Sequence, residues 1–393
     1  MSNKFKINSI VNLIGKKFFV SKKNVALHEP SFNQNELLIM NQCIKSKSVS
    51  TAGNYTKKFE NEIAKVTKAK FVTATINGTA ALHLALIALG VKKDEEVLVP
   101  AINYIASANA CLYLGANPHF VDVDYETLGI DVKKLEKYLK KITLIRNGIC
   151  INKKTKKKIS AIIPMHTFGH PVEIDKIKIL AKKFKLFLIE DAAEALGSFF
   201  KKKHVGTFGD IGILSFNGNK IITTGGGGAL LTNNKNIAKR ISHLSSISKV
   251  NHKWKYEYNE IGYNYKMPSL NASLGLGQIK KISEFVKKKR SIFKLYKKTF
   301  KENIYFKLFR EPKNCKSNYW LQAIILNKNN KNIRNNIVNL ANKKGIKIRA
   351  VWRPIHKSKY LKKYPKMNLE NTIDLENRIL NLPSSPDIIN LLK

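Results

Sequence analysis

The chain has 393 residues, more than a single core usually holds, which predicts two domains or one large core with an added lobe. Its composition, 44% hydrophobic and 9% aromatic, argues against a disordered or fibrous chain. The longest apolar runs are far shorter than the roughly 20 residues of a membrane helix. The N-terminus also lacks the apolar stretch and cleavage site of a secretion signal. We therefore expect a cytoplasmic protein with no membrane span.

The net charge of +44 comes from 71 Lys and Arg residues against 27 Asp and Glu residues. Only eight of the basic residues are Arg, the side chain best suited to reading phosphates and base edges. The Lys residues are spread along the chain with many Asn and Ile, three residue types with A/T-rich codons. We attribute most of the charge to genome composition and predict no nucleic-acid partner. Attraction to an anionic, nucleotide-linked ligand stays open.

Four cysteines, Cys43, Cys111, Cys150 and Cys315, are far apart in the sequence, and none belongs to a CxxC pair. Zinc sites and redox dithiols usually show such pairs. The sequence therefore predicts free thiols and no metal site.

Predicted elements alternate between helix and strand over most of the first 216 residues. An arm (1–24) and a loop (26–35) precede a helix at 35–47. Helices are then predicted at 59–68, 79–89, 104–114, 132–140 and 174–184, and strands at 71–76, 96–99, 119–123, 159–164, 186–189 and 211–216. Because these strands are almost continuously apolar, they predict a mostly parallel sheet covered on both faces.

The alternation is predicted to stop near residue 233. A long helical region at 268–300 with breaks, a strand at 320–326, a helix at 333–343 and a strand at 346–351 indicate a smaller α+β lobe. The predicted division is an N-terminal arm at 1–30, a large α/β domain at 31–265 and a small domain at 266–393.

Ligands of open α/β sheets bind at the carboxyl ends of the strands, so the residues that follow each strand are candidates for a site. Asn77, Gly78, Thr79 and Ala80 follow the first predicted strand and open a helix. Free N–H groups at a helix N-terminus form a phosphate cradle. The same residues are also typical of a plain turn and helix cap, and both readings stay open.

Asp191 follows the strand at 186–189 and precedes small residues that would let a flat ligand approach. A buried carboxylate needs a cationic partner, and a protonated pyridine nitrogen would serve. The alternative is that Asp191 caps a helix.

Lys220 follows the strand at 211–216 and precedes four glycines at 225–228. A lysine in a cleft beside an aldehyde cofactor is the usual Schiff-base arrangement. With so many lysines in the chain, this context and not the residue type singles out Lys220.

These segments, in this chain order, resemble the pyridoxal-phosphate-dependent sugar aminotransferases of the DegT/StrS type, which have the fold-type-I architecture. The resemblance covers residues 26–386 and rests on the segments NGTAALHLAL, VLVPAINYIASANA, IEDAAEALGS, GTFGDIGILSFNGNKIITTGGGGAL and IGYNYKMPSLNASLGLGQ. HEPSF, VWRPIHKSKY and NLPSSP resemble the branch that acts on UDP-linked 4-keto-6-deoxy-N-acetylhexosamines. The resemblance implies a seven-stranded, mostly parallel sheet between helices and a smaller C-terminal α+β domain.

The resemblance also implies roles for individual residues. Lys220 forms the Schiff base with pyridoxal 5'-phosphate and moves the proton, Asp191 pairs with the pyridine nitrogen, and Tyr104 stacks on the ring. Glu194 stands where many relatives have Gln or His, near the cofactor or the incoming sugar. The remaining implied cofactor-binding residues are Gly78, Thr79, Ala80, Ser215, Asn217 and, from the neighbouring subunit, Asn264.

The implied activity is amino transfer from L-glutamate to C4 of a nucleotide-linked 4-keto-6-deoxy sugar, for a surface polysaccharide or nonulosonic acid. The implied partners are this sugar, the donor and a second copy of the chain in a homodimer with shared sites. Two alternatives are a sugar dehydratase of the same family and a non-catalytic regulatory protein on the same fold. Dehydratases use His where the lysine stands, so Lys220 disfavours the first. The presence of both Lys220 and Asp191 disfavours the second.

Overall fold

The computed structural model describes residues 3–15, 24–250 and 252–389. Within these ranges the helices are α1 Asn3–Gly15, α2 Gln34–Lys45, α3 Asn54–Thr67, α4 Gly78–Ala88, α5 Ala106–Tyr113, α6 Val132–Ile142, α7 Ile174–Lys183, α8 Lys235–Ser245, α9 Ser269–Ile279, α10 Ile282–Thr299, α11 Lys331–Lys343 and α12 Glu370–Glu376. The strands are β1 Phe71–Thr75, β2 Glu96–Pro100, β3 Asn117–Val121, β4 Thr143–Arg146, β5 Ile149–Asn152, β6 Ile159–Ile162, β7 Phe187–Asp191, β8 Phe199–Phe200, β9 Lys203–His204, β10 Ile211–Ser215, β11 Gly228–Thr232, β12 Phe306–Leu308, β13 Cys315–Lys316, β14 Gln322–Leu326, β15 Arg349–Ala350 and β16 Ile379–Leu382.

A seven-stranded sheet in the order β1-β11-β10-β7-β6-β2-β3 forms the centre of the larger part. The neighbours from β10 to β3 pair in parallel, whereas β11 is antiparallel to both β10 and β1. The predicted mixed α/β fold with a mostly parallel sheet is confirmed. The seventh strand, β11, was not identified as a strand from the sequence, because it starts at the last residue of the glycine run.

The main core lies on both faces of this sheet. Strands β2 and β11 are buried at every residue, and the apolar side chains of α4 and α5 pack with them in one continuous cluster. Burial on both faces explains why these strands show no polar alternation in the sequence.

A second sheet, antiparallel and in the order β12-β14-β16-β15, carries the smaller lobe. One of its faces packs with α10 and α11 in a separate cluster. Ile10, Val11 and Ile14 of α1 belong to this same cluster, so residues 3–15 of the predicted N-terminal arm form a helix docked on the small lobe. The predicted domain boundaries at residues 30 and 265 stay a prediction.

Two differences from the predicted elements concern the chain after β11. Residues 235–245 form α8, whose N-terminus is capped by Asn234 through the N–H groups of Asn236 and Ile237. No element was predicted at these residues from the sequence. The long helical region is two helices, α9 and α10, which meet at Lys280 and Lys281 without a glycine or proline. None of the described helices combines the length and apolar character of a membrane span.

Candidate active site

A cavity of about 290 Å³ lies at the carboxyl ends of the parallel strands. Asp191 at the end of β7, Ser215 at the end of β10 and the first residues of α4 form its floor, and the small lobe covers it. Of the residues singled out from the sequence, it brings together Gly78, Thr79, Tyr104, Asp191, Glu194, Ser215, Asn217 and Lys220. The residues predicted from the ends of different strands therefore line the same cavity.

The N-terminus of α4 forms one end of the cavity. Asn77 caps the helix, and its Oδ1 accepts the N–H of Ala80 at 2.7 Å. The N–H groups of Gly78 and Thr79, in the first turn, have no acceptor in the described part of the chain. The Ser215 side chain lies opposite, since a Cβ on Gly78 would be 3.2 Å from the Ser215 Cβ. This arrangement fits a phosphate group.

The cofactor-binding role expected of Ala80 stays a prediction. Its N–H is already used by Asn77, its side chain is buried, and it is not part of the cavity wall. Asn77 therefore caps the helix through Ala80, while the N–H groups of Gly78 and Thr79 remain available to a ligand.

Gly228, the last residue of the glycine run, lets β11 pack closely against the start of α4. A Cβ on Gly228 would lie 2.6 Å from the carbonyl carbon of Asn77. Any larger residue there would push the capping turn out of place, so the glycine is needed for the cradle.

Asp191 is 5% exposed and forms hydrogen bonds through both oxygens. Oδ2 accepts the Ser107 hydroxyl at 3.0 Å, and Oδ1 accepts the Ala193 N–H at 3.2 Å. Burial raises the pKa of Asp191 because the charged carboxylate loses hydration. Residues 192–197 form turns and no helix, so helix capping does not explain this carboxylate. A buried acid facing a cavity fits a ligand that brings its own positive charge.

Lys220 projects into the same cavity. Its Nζ lies 3.2 Å from Oε1 of Glu194 and 4.1 Å from the centre of the Trp320 ring. Glu194 is buried, and its Oε2 accepts the N–H of Phe168 at 2.9 Å. Burial also raises the pKa of Glu194. The amine is therefore fixed between a carboxylate and an aromatic face, within the space that a flat ligand would occupy.

Three further predicted residues lie toward the outside. Tyr104, 57% exposed, lines the mouth, and the side chain of Asn217 donates to Asn219 at 3.3 Å. Asn264 is exposed, pairs with Ser246 through the backbone and does not line the cavity of its own chain.

The sequence reasoning missed three cavity residues of the small lobe, Trp320, Arg349 and Trp352. Trp320 is locked in place because its Nε1 donates to the Asn219 carbonyl at 2.7 Å. The scarcity of tryptophan was a usable signal: the chain has three, and two of them line this cavity.

Comparison with known proteins places this geometry in a family. The model of the DegT/DnrJ/EryC1/StrS aminotransferase family matches residues 30–390. The chain is 40% identical to a GDP-perosamine synthase of Escherichia coli O157:H7, over 94% of this chain and 95% of that one. It is 34% identical to a UDP-4-amino-4,6-dideoxy-N-acetyl-beta-L-altrosamine transaminase of Campylobacter jejuni, over 75% of each chain.

The fold is similar to that of the Helicobacter pylori aminotransferase PseC, with a TM-score of 0.84, 24% identity and coverage of 94% of this chain and 97% of that one. The chain belongs to the DegT/DnrJ/EryC1/StrS aminotransferase family. It is a pyridoxal-phosphate-dependent aminotransferase of nucleotide sugars.

Proposed function

We propose that this enzyme transfers the amino group of L-glutamate to C4 of a nucleotide-linked 4-keto-6-deoxy sugar. The observation that carries the proposal is the single cavity in which Lys220, Asp191 and the α4 N-terminus meet. The names of its relatives support a sugar acceptor, since two of them make amino sugars on nucleotide carriers.

The nucleotide is the part of the proposal on which the relatives differ. The segments resembling the N-acetylhexosamine branch favour UDP, as does the Campylobacter relative. The 40% identical relative carries GDP in its name and covers more of the chain. We therefore propose a GDP-linked sugar as the preferred substrate and the UDP-linked N-acetylhexosamine as the second candidate.

The described residues supply what the cofactor needs. Pyridoxal phosphate provides an aldehyde for the donor's amine and a ring that withdraws electrons from it. The Gly78 and Thr79 N–H groups, with the Thr79 and Ser215 hydroxyls, would hold its phosphate. The carboxylate of Asp191 would keep a proton on the ring nitrogen, and Ser107 and Ala193 fix its orientation.

Lys220 would move the proton of the reaction. Its Nζ is within hydrogen-bonding distance of Glu194, which can orient the amine and stabilise its charged form. The Trp320 ring, whose centre lies 4.1 Å from Nζ, is a second contact that holds the amine in place. The same amine can then move the proton in both half-reactions, the one with the amino donor and the one with the sugar acceptor, which run in opposite directions.

We further propose a cytoplasmic homodimer in which Asn264 reaches the partner's cofactor. The segment before Asn264 carries large apolar side chains that stand in solvent in the single chain: Trp254 is 73% exposed, Tyr256 75% and Ile261 80%. Large apolar side chains exposed this far are typical of an interface when they cluster, so this segment is a candidate for one.

The test is a panel of GDP-, UDP- and dTDP-linked 4-keto-6-deoxy sugars, each incubated with the holoenzyme and ¹⁵N-labelled L-glutamate. The proposal expects ¹⁵N at C4 of the GDP-linked sugar at the highest kcat/KM. Transfer to the UDP-linked sugar alone would make the second candidate correct. Release of water from the sugar without nitrogen incorporation would instead indicate a dehydratase.

A further inference from the structure

Residues 263–265, the Asn264 segment, are tied through their backbone to two elements of the large domain. The first of them donates its N–H to the carbonyl of Leu244, near the end of α8, at 2.7 Å. The last accepts the N–H of Ile76, directly after β1, at 2.9 Å. The backbone on both sides of Asn264 is therefore fixed to the domain that holds the cofactor cavity.

The side chains of the Asn264 segment alternate between inside and outside. Tyr263 and Tyr265 are half-buried, whereas Asn264 between them is exposed. The antiparallel pairing of Asn264 with Ser246 shows that the backbone is extended here, and neighbouring side chains of extended backbone point to opposite sides. A contact that holds the two tyrosines inside therefore also keeps Asn264 turned outward.

His83 supplies that contact. Its ring centre lies 5.1 Å from the ring centre of Tyr263 at an interplanar angle of 76°, and 6.0 Å from that of Tyr265 at 55°. Its Nδ1 is 3.5 Å from the Tyr265 hydroxyl. Tyr113, at the end of α5, packs edge-to-face on the same imidazole at 5.7 Å. Edge-to-face contacts of this kind stabilise one arrangement of the rings beyond the burial of their area.

The position of His83 in the sequence connects this cluster to the phosphate cradle. His83 is 5% exposed and lies on α4, one turn after Thr79. Burial lowers the pKa of His83, so the imidazole is neutral at pH 7 and packs as an aromatic ring. One side chain thus joins the helix that opens the cavity of its own chain to the segment that carries Asn264.

We propose that His83 is a positioning residue that holds Asn264 in place for the cofactor phosphate in the other subunit's site. The inference rests on the proposed function, because it takes the chain to form a homodimer in which Asn264 reaches the neighbouring cofactor. Replacing His83 should then weaken the site of the other chain and leave the site of its own chain intact. A role in the α4 cradle would give the opposite result, since Thr79 serves the cofactor of its own chain.

The experiment uses hybrid dimers in which only one site contains Lys220. Two chains with different affinity tags are co-expressed, and the hybrid is isolated on both resins in turn. In the trans hybrid one chain carries His83→Ala together with Lys220→Ala, and the other is wild type. In the cis hybrid one chain carries His83→Ala and the other carries Lys220→Ala. The two hybrids contain the same substitutions, so a general loss of stability affects both equally.

The readout is the Kd of pyridoxal phosphate for the apo-hybrids, followed by the absorbance of the adduct that only a site with Lys220 forms. It needs no substrate and no turnover. We expect the Kd of the trans hybrid to rise by about tenfold, the effect of losing a hydrogen bond to a charged group. The cis hybrid should match a hybrid of wild-type and Lys220→Ala chains. An equal rise in both hybrids, a rise in the cis hybrid alone, or no rise in either would overturn the inference.

Two further variants guard against a purely structural effect. His83→Gln removes the ring but keeps a polar side chain, and it should give the same trans loss if His83→Ala does not fold. His170→Ala is the matched control, because this imidazole is also buried and lies edge-to-face against two rings, Phe309 at 4.9 Å and Tyr319 at 5.0 Å. In the trans arrangement it should leave the Kd unchanged. A trans loss as large as that of His83→Ala would contradict the proposed role.

Asn264→Ala, placed in the same two arrangements, separates this inference from the proposal on which it rests. If Asn264→Ala raises the Kd in trans and His83→Ala does not, the inference alone fails. If Asn264→Ala has no trans effect, or the wild-type chain sediments as a monomer, shared sites are wrong and the role of His83 falls with them. The amino donor and the sugar take no part in the titration, so their identity does not affect the result.

Discussion

Asp191 and Lys220 contribute to the site through their surroundings more than through their residue types. Burial disfavours the charged form of Asp191 and raises its pKa. The hydrogen bonds from Ser107 and Ala193 fix the orientation of its two oxygens in the cavity. Lys220 differs from the other lysines of the described residues because it lines the cavity, where it contacts Glu194 and Trp320. We therefore expect replacement of each residue to lower a different part of the activity.

Replacing Asp191 with Asn should lower the rate of the glutamate half-reaction by roughly a thousandfold or more at saturating pyridoxal phosphate. An amide cannot supply the charge that stabilises a protonated ring nitrogen in a desolvated site. Cofactor occupancy should survive through the α4 cradle. Asp387→Asn, a change in an exposed ion pair, is the control. A loss below about threefold would remove the cofactor role of Asp191.

Replacing Lys220 with Ala should abolish amino transfer and the borohydride-reducible adduct with the cofactor, while circular dichroism stays that of the wild type. The reason is that no other described lysine lines the cavity. Lys182→Ala, on the exposed side of α7, should keep both properties. A reducible adduct in Lys220→Ala would assign the role to a different lysine.

The residues that the sequence located are those that follow the strands. Gly78, Asp191 and Lys220 could be found because a strand end, a turn and a chemically suited residue are adjacent in the sequence. Arg349 could not, because it reaches the cavity only when the small lobe docks on the large domain, and the rarity of tryptophan was the one sequence signal for Trp320 and Trp352. The role of Ala80 stays a prediction, and the bond of its N–H to the Asn77 side chain depends on a rotamer that the sequence does not give.

At the scale of elements, a buried carboxylate ties together β2, β3 and the end of the β4–β5 hairpin. Glu96, the first residue of β2, accepts hydrogen bonds from His119 Nδ1 at 2.7 Å and Asn152 Nδ2 at 2.9 Å, and also from the hydroxyl of Thr155. Burial acts to raise the pKa of Glu96, but the hydrogen bonds, that of His119 foremost, outweigh it, and the pKa lies below its usual value. The carboxylate is therefore ionised in the folded protein.

Glu96→Gln should lower the free energy of unfolding by about 3 kcal/mol at pH 7, because the buried donors lose a charged acceptor. A depressed pKa stabilises the fold above the unfolded-state value of 4.5 and ceases to do so as the pH falls through the lower folded-state value. The difference between wild type and variant should therefore shrink below about pH 4. Urea unfolding at pH 7 and below about pH 4 measures this difference in the free energy of unfolding, with the exposed Glu126→Gln as control. A pH-independent difference would contradict this account.

The two elements absent from the sequence-based expectation, β11 and α8, differ in cause. Strand β11 begins in a glycine run, so local propensity points away from a strand there. Packing decides it, because β11 fills the gap between β1 and β10, where all five of its residues are buried. Helix α8 follows Asn234, a favoured N-cap residue, so its start agrees with local preference. Where local preference and burial agreed, as in β1, β2 and α4, the predicted bounds fall within about two residues of the observed ones.

For the whole molecule, a homodimer with shared sites predicts complementation. Lys220→Ala and Asn264→Ala homodimers should each be inactive. After unfolding and refolding as an equal mixture, about one quarter of the sites should be active, because hybrids rebuild one of their two sites. Sedimentation equilibrium gives the mass. A fully active monomer, or a mixture with no regained activity, would rule out shared sites.

The pairing of β1 also sets an order of events during synthesis. β1 is an edge strand bonded to β11 alone in the large sheet, and α1 docks on a lobe built from residues 292–388. On the ribosome, the early segments must wait until these distant partners have been translated, and such non-local pairing is slow and leaves apolar surface open to aggregation. Because Arg349 and Trp352 close the cavity, the enzyme gains its binding site only at the end of translation. A stalled chain that already contains Lys220 would therefore display this amine in an incomplete cavity, without the small-lobe residues Trp320, Arg349 and Trp352 that form part of its wall.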